Sequence, residues 1–312
     1  MTVLGARGVV RSLLWNEKGM PGFCHSPLQP VVARAALHRW EEPCISGTRG
    51  SGTVFLRAVI CAAASAKIPS SLWDERDFRL RPEGFGKSMG SSLKKGAHNI
   101  NLVTPTPYTF AILESLADPL PVPVVYNCGG YESIETIDRF KDKVQIYLPD
   151  FKYLDPTLAE RYSGAADYPQ VAAEAILRMY DQVGPYELDD DGILKKGVII
   201  RHLILPGCVD NTKAVIDWVR NHFEDGQVLF SLMRQYVPCG RAGDYPEINR
   251  PLTDAEYDEA EQYLFDSGIE DGFVQEKRAP AMTSFPILTE PALSDNLSID
   301  KNAYKKTVPA AA

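Results

Sequence analysis

The chain lacks any C-x-x-C pair: its six cysteines, Cys24, Cys44, Cys61, Cys128, Cys208 and Cys239, stand singly. Such spacing builds neither a disulfide framework nor a zinc ribbon, and it suits thiols kept reduced in the cytoplasm. The five histidines, His25, His38, His98, His202 and His222, never fall at ligand spacing with a cysteine or carboxylate pair, so no zinc site is predicted. No apolar run approaches the roughly 20 residues that a bilayer-spanning helix needs. The opening stretch MTVLGARGVVRSLLWNEKG has no clean apolar core and no small-residue cleavage site, so no secretory leader is read in it. Positive charge is also short. A net charge of -8 and a pI near 5.3 argue against nucleic acid or a membrane surface as partner, because both call for a basic face. A small molecule or a protein is the expected substrate.

What is present is an ordinary globular composition. With 312 residues, 45% of them hydrophobic, and with 14 Tyr and 12 Phe, the chain can fill the core of one large α/β domain or two small ones. From His98 onward, short apolar runs (NINLVTP, PVPVVYN, VQIYLPDF, GVIIRHLILPG, VLFSLMRQY) read as strands buried on both faces. Between them SIETIDRFKD, YPQVAAEAILRMYDQVG, NTKAVIDWVRNHFEDG and TDAEYDEAEQYLFDSG carry apolar residues at helical spacing behind Ser, Asp, Asn or Thr caps. Alternation of this kind predicts a parallel sheet with right-handed crossovers, as a barrel or an open doubly wound sheet. Roughly five strands are legible against the eight of a full barrel, so a partial barrel is expected if a further strand lies near Val54. Residues 1–40 read as an N-terminal extension with one helix-like piece, VVARAALHRW, residues 41–276 as the barrel, and residues 277–312 as an irregular tail.

Polar residues gather where the strands end: Thr104 and Thr106, Asn127 with Gly129 and Gly130, Asp150 with Lys152, Arg201 with His202, and Gln235. In parallel α/β folds ligands bind at the carboxyl ends of strands, so one rim is predicted to collect them. Lys152 suits a Schiff base in a metal-free barrel enzyme, a carboxylate ligand, or a plain ion pair with Asp150. NCGGYES is a ligand-approach loop or a plain strand-to-helix turn. GFGKS, Gly84–Ser88, has Arg81 where a phosphate-binding loop needs its first glycine and no buried strand leading in, so it reads as a surface turn.

Taken in order, ARAALHRWEEPCISGTRGSGTVF, GAHNINLVTPTPY, VPVVYNCGGYES, IYLPDFKYLDPTLAERYSGAADYP, GVIIRHLILPG and DGFVQE resemble the radical S-adenosylmethionine (SAM) proteins related to pyruvate formate-lyase activating enzyme, over roughly residues 20–55 and 96–276. The resemblance implies a partial (β/α)6 barrel of parallel strands, TIM-like, holding SAM and a [4Fe–4S] cluster. In that family three cysteines, C-x-x-x-C-x-x-C, bind the cluster on the loop after the first strand, leaving one iron to chelate SAM. An electron from a donor such as flavodoxin or ferredoxin then gives a 5′-deoxyadenosyl radical, which abstracts hydrogen from the substrate, often a glycine of a partner enzyme. Carried over by motif position, Thr104 and Thr106 meet the SAM amino group. Asn127, Gly129 and Gly130 match the third-strand loop, and Lys152, beside Asp150, lies near the SAM carboxylate. Arg201 and Gln235 fall at the SAM and cluster rim.

The resemblance breaks off at Leu56. Where the three cysteines belong, LRAVICAAASAKIP offers Cys61 alone, and no neighbouring Ala, Ser or Val can bind iron. Codons read one base earlier permit S-G-C-N-L-R-C-G-V-C-Q-N-P in this place, with the cysteines over Val59, Ala63 and Ala66. The same shift on RAPAMTSFPIL permits S-A-S-D-D-F-I-P-D-F, which resembles the family's C-terminal segment. The expectation is a coding sequence that lost a base before Leu56, regained its frame before Gly96 and lost another near Glu276. Residues 56–95 would then be anomalous, the first βα unit disrupted with SMGSSLKKG too short for its helix, and the second strand left with an exposed edge. The chain would be a radical SAM enzyme by descent, inactive without its cluster. The alternatives are the metal-free Lys152 enzyme and a non-catalytic SAM-binding module.

Overall fold

A computed structural model of the chain describes residues 31–56, 78–79, 82–275 and 304–306. Seven strands run parallel in the order in which they occur: β2 (Ser51–Leu56), β4 (Ile100–Val103), β5 (Val124–Cys128), β6 (Ile146–Pro149), β8 (Leu194–Leu203), β9 (Leu229–Met233) and β10 (Gly272–Gln275). Each parallel strand pairs with the next parallel strand along the chain. Right-handed crossovers between sequential neighbours lay the connecting helices on one face, so the sheet must curl to bury the other. A doubly wound sheet, in which the order reverses, is thereby excluded. Antiparallel strands flank both ends of the series, β1 (Val31–His38) on β2 with β3 (Phe78–Arg79) beyond it, and β11 (Tyr304–Lys306) on β10. A two-residue strand, β7 (Glu187–Leu188), adds a hairpin to β8.

The two faces of the sheet separate by residue alternation, as the period of two requires. Val54, Leu102, Tyr126, Tyr147, Ile200 and Phe230 face the helical layer. That layer comprises α2 (Pro82–Lys94), α3 (Thr109–Ser115), α4 (Ile134–Arg139), α5 (Pro156–Ser163), α6 (Tyr168–Val183), α7 (Val209–His222) and α8 (Asp254–Asp266). On the inner face Val125, Ile146, Leu148, Ile199, Leu229 and Phe273 close around Cys44 and Ile45 of α1 (Pro43–Ser46), which floors the barrel at the amino ends of the strands. Asn99 fixes that floor by donating from Nδ2 to the Ile45 carbonyl at 2.7 Å while accepting from Ser51 Oγ at 2.6 Å. The glycines of GTRGSG serve the same floor. A Cβ on Gly47, whose φ is +47, would meet Ile193 Cδ1 at 2.3 Å, and one on Gly52 would meet Ser92 Cβ at 2.7 Å.

Several local expectations change. VVARAALH is a strand, with its register shifted between Val32 and Arg34; that irregularity breaks the period of two and lets alanine-rich sequence mimic a helix. GFGKS lies inside α2, so it forms neither a surface turn nor a phosphate loop, and the segment around SMGSSLKKG does build a helix behind β2. Buried Met89 and Ser92 anchor that helix against the sheet. The second strand of the resemblance, β4, has no open edge, because β2 and β5 pair with it on either side. The positions over Val59, Ala63 and Ala66 lie outside the described residues. Among the described residues no helix is long and apolar enough to cross a membrane.

Candidate functional site

Polar residues interrupt the apolar lining of the barrel. Thr53, Asn101, Asn127 and Ser231 are buried there, and Arg201 enters from β8. Asp150 follows β6 and pairs with Arg201 through a parallel bridge. The NCGG turn after β5 makes this approach possible: Gly130 has φ +82, and a Cβ there would stand 2.1 Å from the Asp150 carbonyl oxygen. Tyr168 Oη clamps the same corner, within 2.9 Å of the Gly129 and Asp150 carbonyls, while accepting from the Lys152 amide, also at 2.9 Å.

Around Asp150 the predicted rim residues come together. Arg201 donates to Asp150 Oδ1 from Nε at 2.9 Å and from Nη2 at 2.8 Å, and Nη2 also reaches Asn127 Oδ1 at 2.8 Å. Lys152 Nζ donates to Asp150 Oδ2 at 2.5 Å. Burial alone would raise the Asp150 pKa, but Arg201 and then Lys152 hold it below the ordinary carboxylate range. Of the roles open to Lys152 from the sequence, the ion pair with Asp150 is the one seen.

Three residues that the sequence did not single out join this cluster. Glu41 Oε2 lies 3.5 Å from Arg201 Nη1, and burial raises its pKa against the pull of Arg201. Beside it, burial pushes Glu42 up to about 7, Arg201 opposing and Glu41 and Asp150 reinforcing the rise. Asn101, in the middle of β4, is wholly buried with neither side-chain atom in a hydrogen bond of normal geometry, although its amide lies by the Glu41 carboxylate and favours its ionised form. Side-chain exposure falls inward, from 30% at Lys152 through 19% at Asp150, 15% at Arg201 and 9% at Glu41, and the Asn101 residue is 0% exposed. The ionic cluster therefore runs from the mouth into the interior. Its only sequence signals were two adjacent glutamates before Pro43 and one asparagine inside an apolar strand.

The side chains of the other candidates take no part in these ion pairs. Thr104 follows β4 with φ +59, a strained left-handed conformation for a β-branched residue, and donates its backbone N–H to the Asn127 carbonyl at 2.8 Å. Thr106 donates at 2.7 Å to Glu132 Oε1, whose other oxygen accepts from Tyr126 at 3.1 Å, so its hydroxyl is held in a buried network. Gln235 is fixed by its backbone, which donates to Gln275 Oε1 at 3.2 Å.

The described cysteines do not fit a three-thiolate cluster. Cys128 packs in the outer core and Cys44 in the floor; Cys208 caps α7, and Cys239 follows β9. Burial raises the Cys128 and Cys208 thiols, away from the thiolate form that iron requires. Among the described residues no three Cys, His, Asp or Glu side chains are placed to hold a metal ion, and Cys61 is the one cysteine in the sequence of residues 57–77.

The chain is an open α/β barrel. No family model matches it. An uncharacterized protein of Methanocaldococcus jannaschii is 32% identical over 170 residues, 53% of this chain and 45% of that protein, so the chain spans about half the length of the curated relative it matches. Among solved structures, a domain of pyruvate-formate lyase-activating enzyme from Bacteroides vulgatus aligns over 62% of this chain and 91% of its own, with a TM-score of 0.35 and 14% identity. Streptococcus suis SuiB aligns over 71% of this chain and 49% of its own, with a TM-score of 0.44 and 12% identity. SuiB bound to its precursor peptide SuiA aligns over 68% and 46%, with a TM-score of 0.42 and 10% identity. The assignment of the architecture stands on the strand order itself.

Proposed function

We propose that this chain is a radical SAM scaffold of the activating-enzyme type, with its barrel in residues 41–276, whose strand-end rim binds SAM without the [4Fe–4S] cluster that would cleave it. The observation that carries the proposal is the convergence of Asn127, Asp150, Lys152 and Arg201, from three successive parallel strands, at the carboxyl-end mouth. In this assignment Asp150 faces the methionyl ammonium of SAM, and Lys152, with Arg201 behind it, faces the carboxylate. Bound SAM supplies a sulfonium carrying methyl and adenosyl groups. The chain's own part is to hold the amino-acid end by charge and to keep Asp150 ionised through its two cations. Without a cluster, flavodoxin or ferredoxin has no electron acceptor here, and the protein acts as a binding module for SAM together with a protein or small-molecule partner at the mouth.

Calorimetry on the full chain purified in air tests this. Saturable SAM binding without iron is expected, about tenfold weaker in Lys152→Met, in keeping with the loss of one charge-assisted hydrogen bond. Absence of SAM binding, or stoichiometric iron and sulfide with release of 5′-deoxyadenosine, overturns it. The proposal includes the slipped frame. Resequencing codons 50 to 96 is expected to show it, and the frame-restored chain is expected to be brown and air-sensitive; an unslipped gene refutes that part.

A further inference from the structure

Below the rim, the layer formed by Glu41, Glu42 and Asn101 has more hydrogen-bond acceptors than donors. Glu42 Oε2 and both side-chain atoms of Asn101 are buried without a partner, and Glu42 as a whole is 5% exposed. Native interiors pair such groups with protein, water or another bound group, and Glu41 joins the two: the Asn101 amide lies by its carboxylate, and its charge bears on Glu42. Turning Asn101 Nδ2 fully onto the neighbouring Glu41 carboxylate leaves Asn101 Oδ1 and Glu42 Oε2 as the acceptors still open. Charge selects what they accept from. Among the described residues Glu41, Glu42 and Asp150 face Arg201 and Lys152, a surplus of one negative charge when all are ionised.

We propose that this layer is a subsite for a primary ammonium group, such as the head of a lysine side chain or the terminal amine of a small substrate, held by Glu42 Oε2 and Asn101 Oδ1. This deepens the proposed function by naming a substrate class. It rests on the strand-end mouth being a ligand site, since the amine enters past Lys152 and Asp150, but not on that ligand being SAM. Glu42 reinforces the fit: empty, its carboxyl is held partly protonated near neutral pH by burial and by Glu41 and Asp150 against Arg201, and an arriving cation draws it into the ionised form. Amine binding therefore releases a proton and tightens as pH rises through about 7.

The test titrates the full chain with n-propylammonium, with propionate and propanol as shape-matched controls, by calorimetry in the presence and absence of SAM. Saturable binding of propylammonium alone is expected. It should weaken about tenfold or more in Asn101→Leu and in Glu42→Gln, each removing one acceptor of a charged donor, and stay unchanged in Glu135→Gln on the exposed face of α4. Leucine removes the orphaned amide and glutamine keeps the shape of Glu42, and circular dichroism of both variants verifies the fold. Equal affinity in these variants, or no saturation while SAM still binds, overturns the inference and leaves a layer satisfied by water. Propylammonium binding without SAM binding upholds it and removes SAM from the mouth. If neither binds, the mouth is not a ligand site and both proposals fall.

Discussion

Replacing Glu132 with glutamine should change how stability depends on pH more than it changes the structure. Glu132 is 1% exposed behind β5, and burial pushes its pKa from 4.5 up to about 7 against the opposing hydrogen bonds from Thr106 and Tyr126. The sign follows from linkage. Below about pH 4.5 the carboxyl is protonated in both folded and unfolded chains, and its contribution to stability is whole. Between about 4.5 and 7 the unfolded chain ionises while the folded one does not, so stability declines as pH rises, by on the order of 3 kcal/mol from this group. Glutamine cannot ionise. Its oxygen still accepts from Thr106 and its amide can donate to the Tyr126 oxygen. The stability difference between variant and wild type should therefore grow in favour of the variant across that window, while contributions shared by both chains, Glu42 included, cancel. Urea unfolding followed by circular dichroism in half-unit steps between about pH 4.5 and 7.5 measures it. Parallel curves for the two chains would refute the reasoning.

Arg201→Leu should cost about 3–5 kcal/mol near neutral pH, because it strips Asp150 and Glu41 of their buried counter-charge, and adding Asp150→Asn should recover part of that loss in urea unfolding. Full additivity of the two changes would show that the pair is not coupled. Gly130→Ala should cost about 2–4 kcal/mol, from a left-handed φ and from displacement of the Asp150 carbonyl, and should weaken SAM binding by moving Asp150 off Arg201. A loss in unfolding free energy well under 1 kcal/mol would mean that the turn yields at little cost.

Much of the architecture was legible because it rests on local rules. The strands at PVPVVYN and VQIYLPDF are buried on both faces, and a strand near Val54 follows from them as the start of the series. The Thr253–Glu256 capping box could be read from TDAE, and the structure closes it in both directions. The errors fell where contact outweighed local preference. VVARAALH has helical composition, yet pairing with β2 makes it a strand; GFGKS holds two glycines, yet α2 passes through it because Met89 and Ser92 reach the sheet. Thr106 sat at a strand end like the rim residues, but its hydroxyl points to Glu132, a direction no spacing encodes.

By itself the order of residues determined that strands and helices alternate, that polar groups mark the strand ends, and that three clustered thiols are missing, because periodicity, caps and residue identity are properties of short segments. Only the tertiary structure decided that Asp150, Lys152, Arg201 and Asn127 meet as one ionic cluster, and that Glu41, Glu42 and Asn101 lie beneath it with acceptors unfilled. Apart from Lys152 on neighbouring Asp150, those contacts join residues 51 or 74 positions apart and, for Glu41 with Arg201, farther still, brought together by the curl of a sheet whose connecting helices lie on one side.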